Sequence, residues 1–244
     1  MKIREMKIRE IKFRSPQHLI FDADDTLWEN NIFFEDAFDR FCEFLNHSQL
    51  TPDQIRAALD EIEIVNNKIH GYGAKNFARN LAQCYRHLCE RGVAEADVQL
   101  VMSFAEEILN APMELMPGVE ETLARLGEVH ELTLFTKGHH EEQHSKIDRS
   151  GLRSYFDHCV VVKEKNAPAY RSLAEERKFD MDRTWMIGNS PKSDINPALK
   201  AGLRAVFIPH ARTWTLEREE IPARHERLIQ VARFADLATL FLQP

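Results

Sequence analysis

The residues Phe21–Trp28 read FDADDTLW, and they end the apolar segment Leu19–Phe21 with a cluster of carboxylates. Asp22, Asp24 and Asp25 fill three of four consecutive positions. Carboxylates this close repel one another, and burying one of them without a partner costs several kcal/mol. Two explanations fit the cluster. Either a hard divalent cation neutralises it, or the segment is an acidic helix start with Asp or Thr as the cap.

Length, charge and cysteine content restrict the class of protein. The chain has 244 residues, a formal net charge of −7 and a pI of about 5.9, so it offers no basic surface for nucleic acid or an anionic membrane. No apolar run is long enough to span a membrane, and the start MKIREMKIRE, with Met1 or Met6 as initiator, is too charged for a signal peptide. The cysteines lack metal-type spacing, which predicts reduced thiols in a cytoplasmic protein.

Short apolar runs, each ended by Gly, Asp, Asn, Thr or Pro, predict the strands of a parallel sheet that is covered on both faces. The predicted strands are Leu19–Asp22, Glu131–Thr136, His158–Val162, Thr184–Ile187 and Arg204–Ile208. Helical patterns lie between them at Pro117–Leu126, Glu141–Ser150, Pro168–Arg177 and Pro197–Ala201. This βαβ alternation predicts an α/β fold with a doubly wound parallel sheet.

Residues 30–112 contain no strand-like run, and their apolar residues recur at helical spacing. Thr51 and Gln54 frame a capping box with proline at the first helical position, which predicts a helix start. We therefore expect a helical domain over residues 30–112, inserted into a core that is formed by residues 1–29 and 113–244.

Polar residues follow three further strands of the predicted sheet. The second strand ends at Thr136, Lys137 and Gly138; the third is followed by Lys165, and the fourth by the segment GNSPKSD, which ends at Asp194. The carboxyl ends of parallel strands share one edge of a sheet. These side chains are therefore expected to gather beside the aspartates that follow the first strand.

This ordered set of motifs resembles the haloacid dehalogenase-like superfamily. FDADDTL resembles the first motif of its phosphatases, LTLFTKG the second, Lys165 the third and IGNSPKSDINPALKAGL the fourth. The likeness covers roughly residues 17–28 and 115–210. It implies a Rossmann-like core with an inserted helical cap domain, and a magnesium-dependent phosphatase that forms an aspartyl-phosphate.

The resemblance also implies a role for each motif residue. Asp22 would attack phosphorus, and Asp24 would protonate the leaving oxygen and then accept a proton from the hydrolytic water. Charge on the phosphoryl oxygens would be stabilised by Thr136 and Lys165. Substrate contacts are expected from Thr136, Lys137, Gly138 and Lys165, and ligands for Mg²⁺ from Asp22, the Asp24 carbonyl, Asp194 and Asn189.

Two positions depart from the pattern of the family. Many relatives carry Gly-Asp at the start of the fourth motif, whereas here Asn189 follows Gly188. An amide oxygen can coordinate Mg²⁺ but supplies no charge, so Asp194 is expected to be the more necessary ligand. Lys137 stands where relatives often carry Asn; it either adds phosphate affinity or is an exposed lysine on a turn.

Other interpretations of these residues stay open. A haloacid dehalogenase shares the aspartate chemistry, but it commonly has tyrosine at the position of Asp24 and works without Mg²⁺. A phosphomutase would share Asp24, and a non-catalytic binding protein could keep the same scaffold. His140, Glu141 and His144 fit H-E-x-x-H, the zinc-peptidase motif, although no third ligand follows at a telling spacing.

The expected partner is a small phosphorylated metabolite, and neither nucleic acid nor a membrane is expected. The resemblance implies that the cap selects the organic part of the substrate, for which the sequence carries no code. Sugar phosphates, nucleoside monophosphates and phosphorylated short acids stay open, as does the choice between a monomer and a homodimer.

Overall fold

A parallel sheet organises the larger part of the chain. The computed structural model describes Phe13 and residues 15–242, so the choice between Met1 and Met6 lies outside the described residues. The strands are β1 (His18–Phe21), β2 (Glu131–Lys137), β3 (His158–Val162), β4 (Thr184–Gly188), β5 (Arg204–Phe207) and β6 (Leu228–Gln230). They pair in the order β3-β2-β1-β4-β5-β6, and every pair is parallel.

The sequence pattern predicted five of these strands, and the ends of each lie within one residue of the prediction. The exception is β6, which pairs with β5 at the edge of the sheet. Its three residues, LIQ, are too few to give an alternating or continuous apolar pattern, so no strand was predicted there. The predicted α/β class with a parallel sheet is confirmed.

The described residues also form α-helices, which lie between the strands along the chain and after the last of them. They are α1 (Asn31–Leu45), α2 (Pro52–His70), α3 (Ala74–Leu88), α4 (Glu95–Glu106), α5 (Val119–Gly127), α6 (His140–Arg149), α7 (Ala167–Arg177), α8 (Asn196–Ala201) and α9 (Asp236–Phe241). None of these helices is both long and apolar enough to cross a membrane.

Side chains alternate between two covered faces of the sheet. Leu19 and Phe21 of β1 pack in one apolar cluster with residues of α5, α6 and α9. Ile20, between them, packs in a second cluster with residues of α7 and α8. All three are fully buried, as a continuous apolar strand requires in a sheet that is covered on both sides.

The chain fills the sheet from its centre outward. After β1 it adds β2 and β3 on one side, and it then returns past β1 to add β4, β5 and β6 on the other. The connections that leave β1 and β4 therefore diverge, which opens a crevice at the carboxyl ends of these strands. This is the doubly wound arrangement that the sequence predicted, and its switch point lies next to β1.

Residues 30–112 form a compact unit of their own, separate from the unit formed by the described residues up to Glu29 and from Met113 onward. Thr51 caps α2 in the predicted way, since its hydroxyl accepts a hydrogen bond from the Gln54 amide while the Gln54 side chain accepts one from the Thr51 amide. The helices enclose a separate apolar cluster, centred on fully buried Phe41, Leu59 and Leu81.

A short antiparallel contact joins the two chain segments that flank the helical unit. The Met116 amide donates to the Leu27 carbonyl at 2.9 Å, and the Glu29 amide donates to the Glu114 carbonyl at the same distance. Trp28 and Leu115 pair between them. We call residues 27–29 and 114–116 the stem, and it belongs to the sheet-containing unit.

His130 ties the C-terminal helix to the start of the sheet and predicts a dependence of stability on pH. Its Nδ1 accepts from the Gln17 amide, and its Nε2 lies 3.1 Å from the Phe241 carbonyl, so the ring is neutral with the proton on Nε2. Burial lowers the pKa of His130 below 6.5, although the bond to Phe241 opposes that shift. Protonation therefore favours the unfolded chain.

We expect the contribution of His130 to the free energy of unfolding to be complete above pH 6.5 and to decline as the pH falls below it. Urea unfolding of wild type and His130→Gln between pH 7.5 and pH 5 measures this, and the variant should show a shallower decline. His70→Gln, at an exposed position of α2, is the matched control. Equal slopes for wild type and His130→Gln would contradict the prediction.

Candidate functional site

The first aspartate lies where β1 ends, at the switch point of the sheet. The Asp22 amide still donates to the Ile187 carbonyl of β4, so its position is fixed by the sheet. Asp25 then adopts a left-handed conformation with φ of 61°, which L-residues rarely occupy. This turn lets Thr26 fold back, and its hydroxyl donates to Asp22 Oδ2 at 3.0 Å.

A buried lysine joins the first aspartate to the last. The Lys165 ammonium, in the loop after β3, lies 2.5 Å from Asp22 Oδ1 and 2.6 Å from Asp194 Oδ1. The Lys165 side chain is 1% exposed and that of Asp194 is fully buried. Residues from β1, β3 and β4 thus meet at one edge of the sheet, as expected from the strand order.

Charge in this cluster is not balanced. Burial alone would lower the pKa of Lys165, but Asp194 and Asp22 raise it above its ordinary value, so the ammonium stays charged. Burial and the negative charge of Asp22 raise the pKa of Asp194 to about 7, against the opposing effect of Lys165. Above pH 7, where Asp194 is largely ionised, two carboxylates face one ammonium, and the remaining negative charge favours a cation at this site.

Asp194 is positioned by the turn that follows β4. It lies in a π-helical turn over Pro191–Ile195, and its Oδ2 accepts from the Ser190 amide at 2.9 Å. A Cβ atom on Gly188 would lie 2.5 Å from Asp194 Cγ, far inside van der Waals contact. The close approach of backbone and carboxylate therefore requires glycine at position 188.

Asp24 is surrounded by hydrogen-bond donors. Lys146 on α6 lies 2.7 Å from each of its two oxygens, Trp28 Nε1 donates to Oδ1 at 2.8 Å, and Gln143 Nε2 donates to Oδ2 at 2.9 Å. Burial alone would raise the pKa of Asp24, but the positive charge of Lys146 and these bonds lower it below its ordinary value. The carboxylate is thus held in its ionised form.

The end of β2 is connected to Asp24 through Gln143. The same Gln143 Nε2 lies 2.7 Å from the Lys137 carbonyl oxygen and 3.2 Å from the buried Thr136 hydroxyl oxygen, so its two N–H bonds are shared among three acceptors. Gly138 has φ of 144°, and a Cβ atom there would lie 3.0 Å from Gln143 Nε2. Glycine at this turn is what allows Gln143 to reach both Thr136 and Asp24.

The Lys137 ammonium points to a separate polar network. It lies 2.6 Å from Glu217 Oε1 and 2.9 Å from Ser193 Oγ, and the other Glu217 oxygen accepts from Ser190 at 2.5 Å. Burial alone would lower the pKa of Lys137, but Glu217 and Glu164 raise it. The Lys137 side chain is 12% exposed and ion-paired, so Lys137 is not an exposed lysine on a turn. A role in substrate binding stays a prediction.

Asn189 completes a set of hard oxygen donors beside Asp22. Its Oδ1 lies 3.3 Å from Thr26 Oγ1, the hydroxyl that also contacts Asp22 Oδ2. Carboxylate and amide oxygens, with excess negative charge around Lys165, form a donor set that fits Mg²⁺ better than a softer metal. Each oxygen of Asp194 accepts one hydrogen bond, Oδ1 from Lys165 and Oδ2 from the Ser190 amide, and each keeps a further lone pair, so a role for Asp194 as metal ligand stays a prediction.

Three contributors to the site received no role from the sequence. Gln143 and Lys146 lie four and seven residues beyond His139 in a largely polar helix, where nothing in their spacing distinguishes them from solvated residues. Glu217 lies in an irregular segment after β5, where it is buried and contacts Lys137. The motif spacing could not identify these residues, since each acts through a long-range contact.

The H-E-x-x-H segment begins α6. Its histidine rings approach each other, with Nε2 atoms 3.1 Å apart, and both remain at least partly exposed. Among the described residues, Asp25, Glu29 and His210 are the group of three ligand side chains whose atoms lie within 4.8 Å of one another, and neither His140 nor His144 belongs to it. The described residues thus supply no third zinc ligand to this pair.

Comparison with known proteins identifies similar chains over both the motifs and the fold. The sequence profile of the haloacid dehalogenase-like hydrolase family matches residues 19–208. Pyrimidine 5'-nucleotidase YjjG of Escherichia coli K12 is 27% identical over 142 residues, which cover 49% of this chain and 63% of that protein. The aligned part thus spans less than two thirds of that relative.

Solved structures extend the likeness to nearly the whole chain. A haloacid dehalogenase-like family hydrolase from Xanthomonas campestris has a TM-score of 0.78 at 27% identity, with 92% of this chain and 93% of that chain covered. YfnB from Bacillus subtilis, a HAD-hydrolase structure bound to magnesium, has a TM-score of 0.67 at 17% identity over 94% of this chain and 100% of that one. Haloacid dehalogenases share the fold at similar identity.

Proposed function

The chain belongs to the haloacid dehalogenase-like hydrolase family, and from this premise we propose that it is a magnesium-dependent phosphatase of a small phosphate monoester. The observation that carries the proposal is the second carboxylate, Asp24, which Gln143 links to Thr136 at the same sheet edge as Asp22. Alkoxide is a poor leaving group that needs a proton, whereas halide leaves without one. A second carboxyl group beside the nucleophile, which can deliver this proton once it has taken one up, therefore favours phosphate ester over haloacid.

Asp22 is the proposed nucleophile. Its Oδ1 is paired with Lys165 and its Oδ2 accepts from Thr26, so the carboxylate is held in one orientation at the end of β1. Attack on phosphorus would form an aspartyl-phosphate and release the alcohol, and water would then hydrolyse this intermediate. The Lys165 ammonium and the Thr136 hydroxyl would bind the phosphoryl oxygens.

Asp24 is ionised in the substrate-free site, so it would first take up a proton, then supply it to the leaving oxygen and later accept one from water. Asp22, the Asp24 carbonyl, Asp194 and Asn189 would hold Mg²⁺. When bound, the cation would offset the repulsion between the anionic nucleophile and the anionic phosphate. Because Asn189 carries no charge, we expect a weaker affinity for Mg²⁺ than a carboxylate at this position would give.

The alcohol part of the substrate is proposed only as a class of compounds. YjjG is a pyrimidine 5'-nucleotidase, which makes pyrimidine nucleoside monophosphates the first substrates to test here. We propose that residues 30–112 act as the cap that selects among such substrates. The four cysteines are free thiols, which supports action in the reducing environment of the cytoplasm.

The proposal is tested with two reactions of the wild-type protein. We expect hydrolysis of p-nitrophenyl phosphate that requires added Mg²⁺ and is lost with EDTA, and no chloride release from 2-chloropropionate with or without metal. Nucleoside monophosphates, sugar phosphates and short phospho-acids are then assayed by phosphate release. Chloride release without Mg²⁺, together with no phosphate release from any of these esters, would assign the chain to the dehalogenases instead.

A further inference from the structure

The carboxylate of Asp24 has every acceptor position filled. An ionised carboxylate offers about four lone-pair sites on its two oxygens. Here Oδ1 receives Trp28 Nε1 and the Lys146 ammonium, while Oδ2 receives Gln143 Nε2 and the same ammonium. A leaving oxygen or a water molecule can therefore contact Asp24 only if one of these donors withdraws from one oxygen.

The donors differ in how easily each could withdraw from one oxygen of Asp24. Trp28 is fully buried in the main apolar cluster, and its single N–H can contact one acceptor. Gln143 is 4% exposed and its amide is also engaged by Thr136 and the Lys137 carbonyl. Lys146 is different because its one ammonium contacts both oxygens of Asp24, each at 2.7 Å, and because 15% of its side chain is exposed.

We infer that Lys146 is a positioning residue for Asp24. Its ammonium anchors the carboxylate through both oxygens, and it can release one oxygen to the substrate while it stays bound to the other. The ammonium can leave one oxygen without leaving the residue, so Asp24 stays aligned by the remaining donors during the exchange. This inference rests on the proposed role of Asp24 in phosphate ester hydrolysis. The hydrogen bonding of Asp24 itself can be observed without turnover.

Direct observation uses the indole N–H of Trp28. The chain has three tryptophans, so a ¹⁵N-labelled sample gives three indole signals, and Trp28→Phe identifies that of Trp28. In Lys146→Met, we expect the Trp28 signal to shift or broaden in the substrate-free protein, in the direction found for Asp24→Asn. An unchanged Trp28 signal in Lys146→Met would overturn the anchoring. This readout is independent of whether the protein is a phosphatase.

Kinetics with p-nitrophenyl phosphate and Mg²⁺ test the consequence for catalysis. A misaligned proton donor should lower kcat of Lys146→Met on the order of 100-fold, with KM changed less than about threefold. Lys146→Arg can contact both oxygens and should recover most of kcat. Lys200→Met, at an exposed residue of α8, should behave as wild type.

The outcomes separate the two proposals. A rise in KM with unchanged kcat would make Lys146 a substrate contact, and unchanged kinetics would deny it any role; either result overturns the inference. If the wild type hydrolyses no phosphate ester while the Trp28 signal still responds to Lys146→Met, the proposed function fails and the anchoring stands. Should Lys146→Met not fold, Lys146→Gln gives the same two readouts with a polar replacement.

Discussion

Asp22→Asn is expected to lower the rate of p-nitrophenyl phosphate hydrolysis by at least about 1,000-fold, the scale on which loss of a nucleophile acts in other hydrolases. The amide has nearly the shape of the carboxylate, and its one oxygen can still accept a hydrogen bond from Lys165 or from Thr26, although its NH2 group cannot. It carries no charge and is a far weaker nucleophile, so no aspartyl-phosphate should form. The fold should remain, because the sheet contact of Asp22 uses its backbone.

The measurement compares kcat/KM and thermal unfolding of Asp22→Asn with those of Asp53→Asn, a control at an exposed position of α2. Mass spectrometry after rapid acid quench adds a second readout, since a phosphate adduct should be found in the wild type alone. Substantial hydrolysis by folded Asp22→Asn, or an adduct on it, would remove Asp22 from the role of nucleophile.

Lys165→Met is expected to destabilise the protein as well as inactivate it. The ammonium is paired with two carboxylates that are buried together, and removal of one partner from a buried ion pair typically costs about 3–5 kcal/mol. Methionine has a similar length and no charge, so the loss reports the uncompensated charge of Asp22 and Asp194 rather than a cavity. Part of that loss should return when Mg²⁺ is added, because a cation would again offset the two carboxylates.

Urea unfolding with and without Mg²⁺ measures both effects. Lys163→Met, two residues away and exposed, is the matched control and should unfold as the wild type does. A wild-type free energy of unfolding for Lys165→Met would mean that the two carboxylates are already neutral in the folded protein. The ionised states assigned to Asp22 and Asp194 would then be wrong.

The strand positions and the grouping of Asp22, Lys165 and Asp194 could be predicted because both follow from local pattern and topology. Apolar runs identify strands, and parallel strands place the residues that follow them at one edge. The roles of these residues, and of Thr136, Gly138 and Asn189, remain proposals that rest on their geometry and on the family.

Other parts of the site depend on contacts between segments that are far apart in sequence. Lys137 could be predicted as polar and near the edge, but its pairing with Glu217 crosses 80 residues and leaves no local pattern. Lys146 meets Asp24 across 122 residues, from a helix whose polar residues look solvated in sequence. The left-handed Asp25 is equally hidden, since an aspartate rather than a glycine fills that turn.

The stem has a consequence for how this architecture can change over evolutionary time. Its hydrogen bonds already hold Leu27 and Glu29 beside Met116 and Glu114, so the ends of the 30–112 segment are brought together by the sheet-containing unit. For a flexible loop, each doubling of length adds only about 0.6 kcal/mol to the entropic cost of bringing its ends together. Here the stem already holds these ends together. Insertions of different length and sequence can thus be exchanged at this point while the sheet, and the carboxylates at its edge, are inherited unchanged.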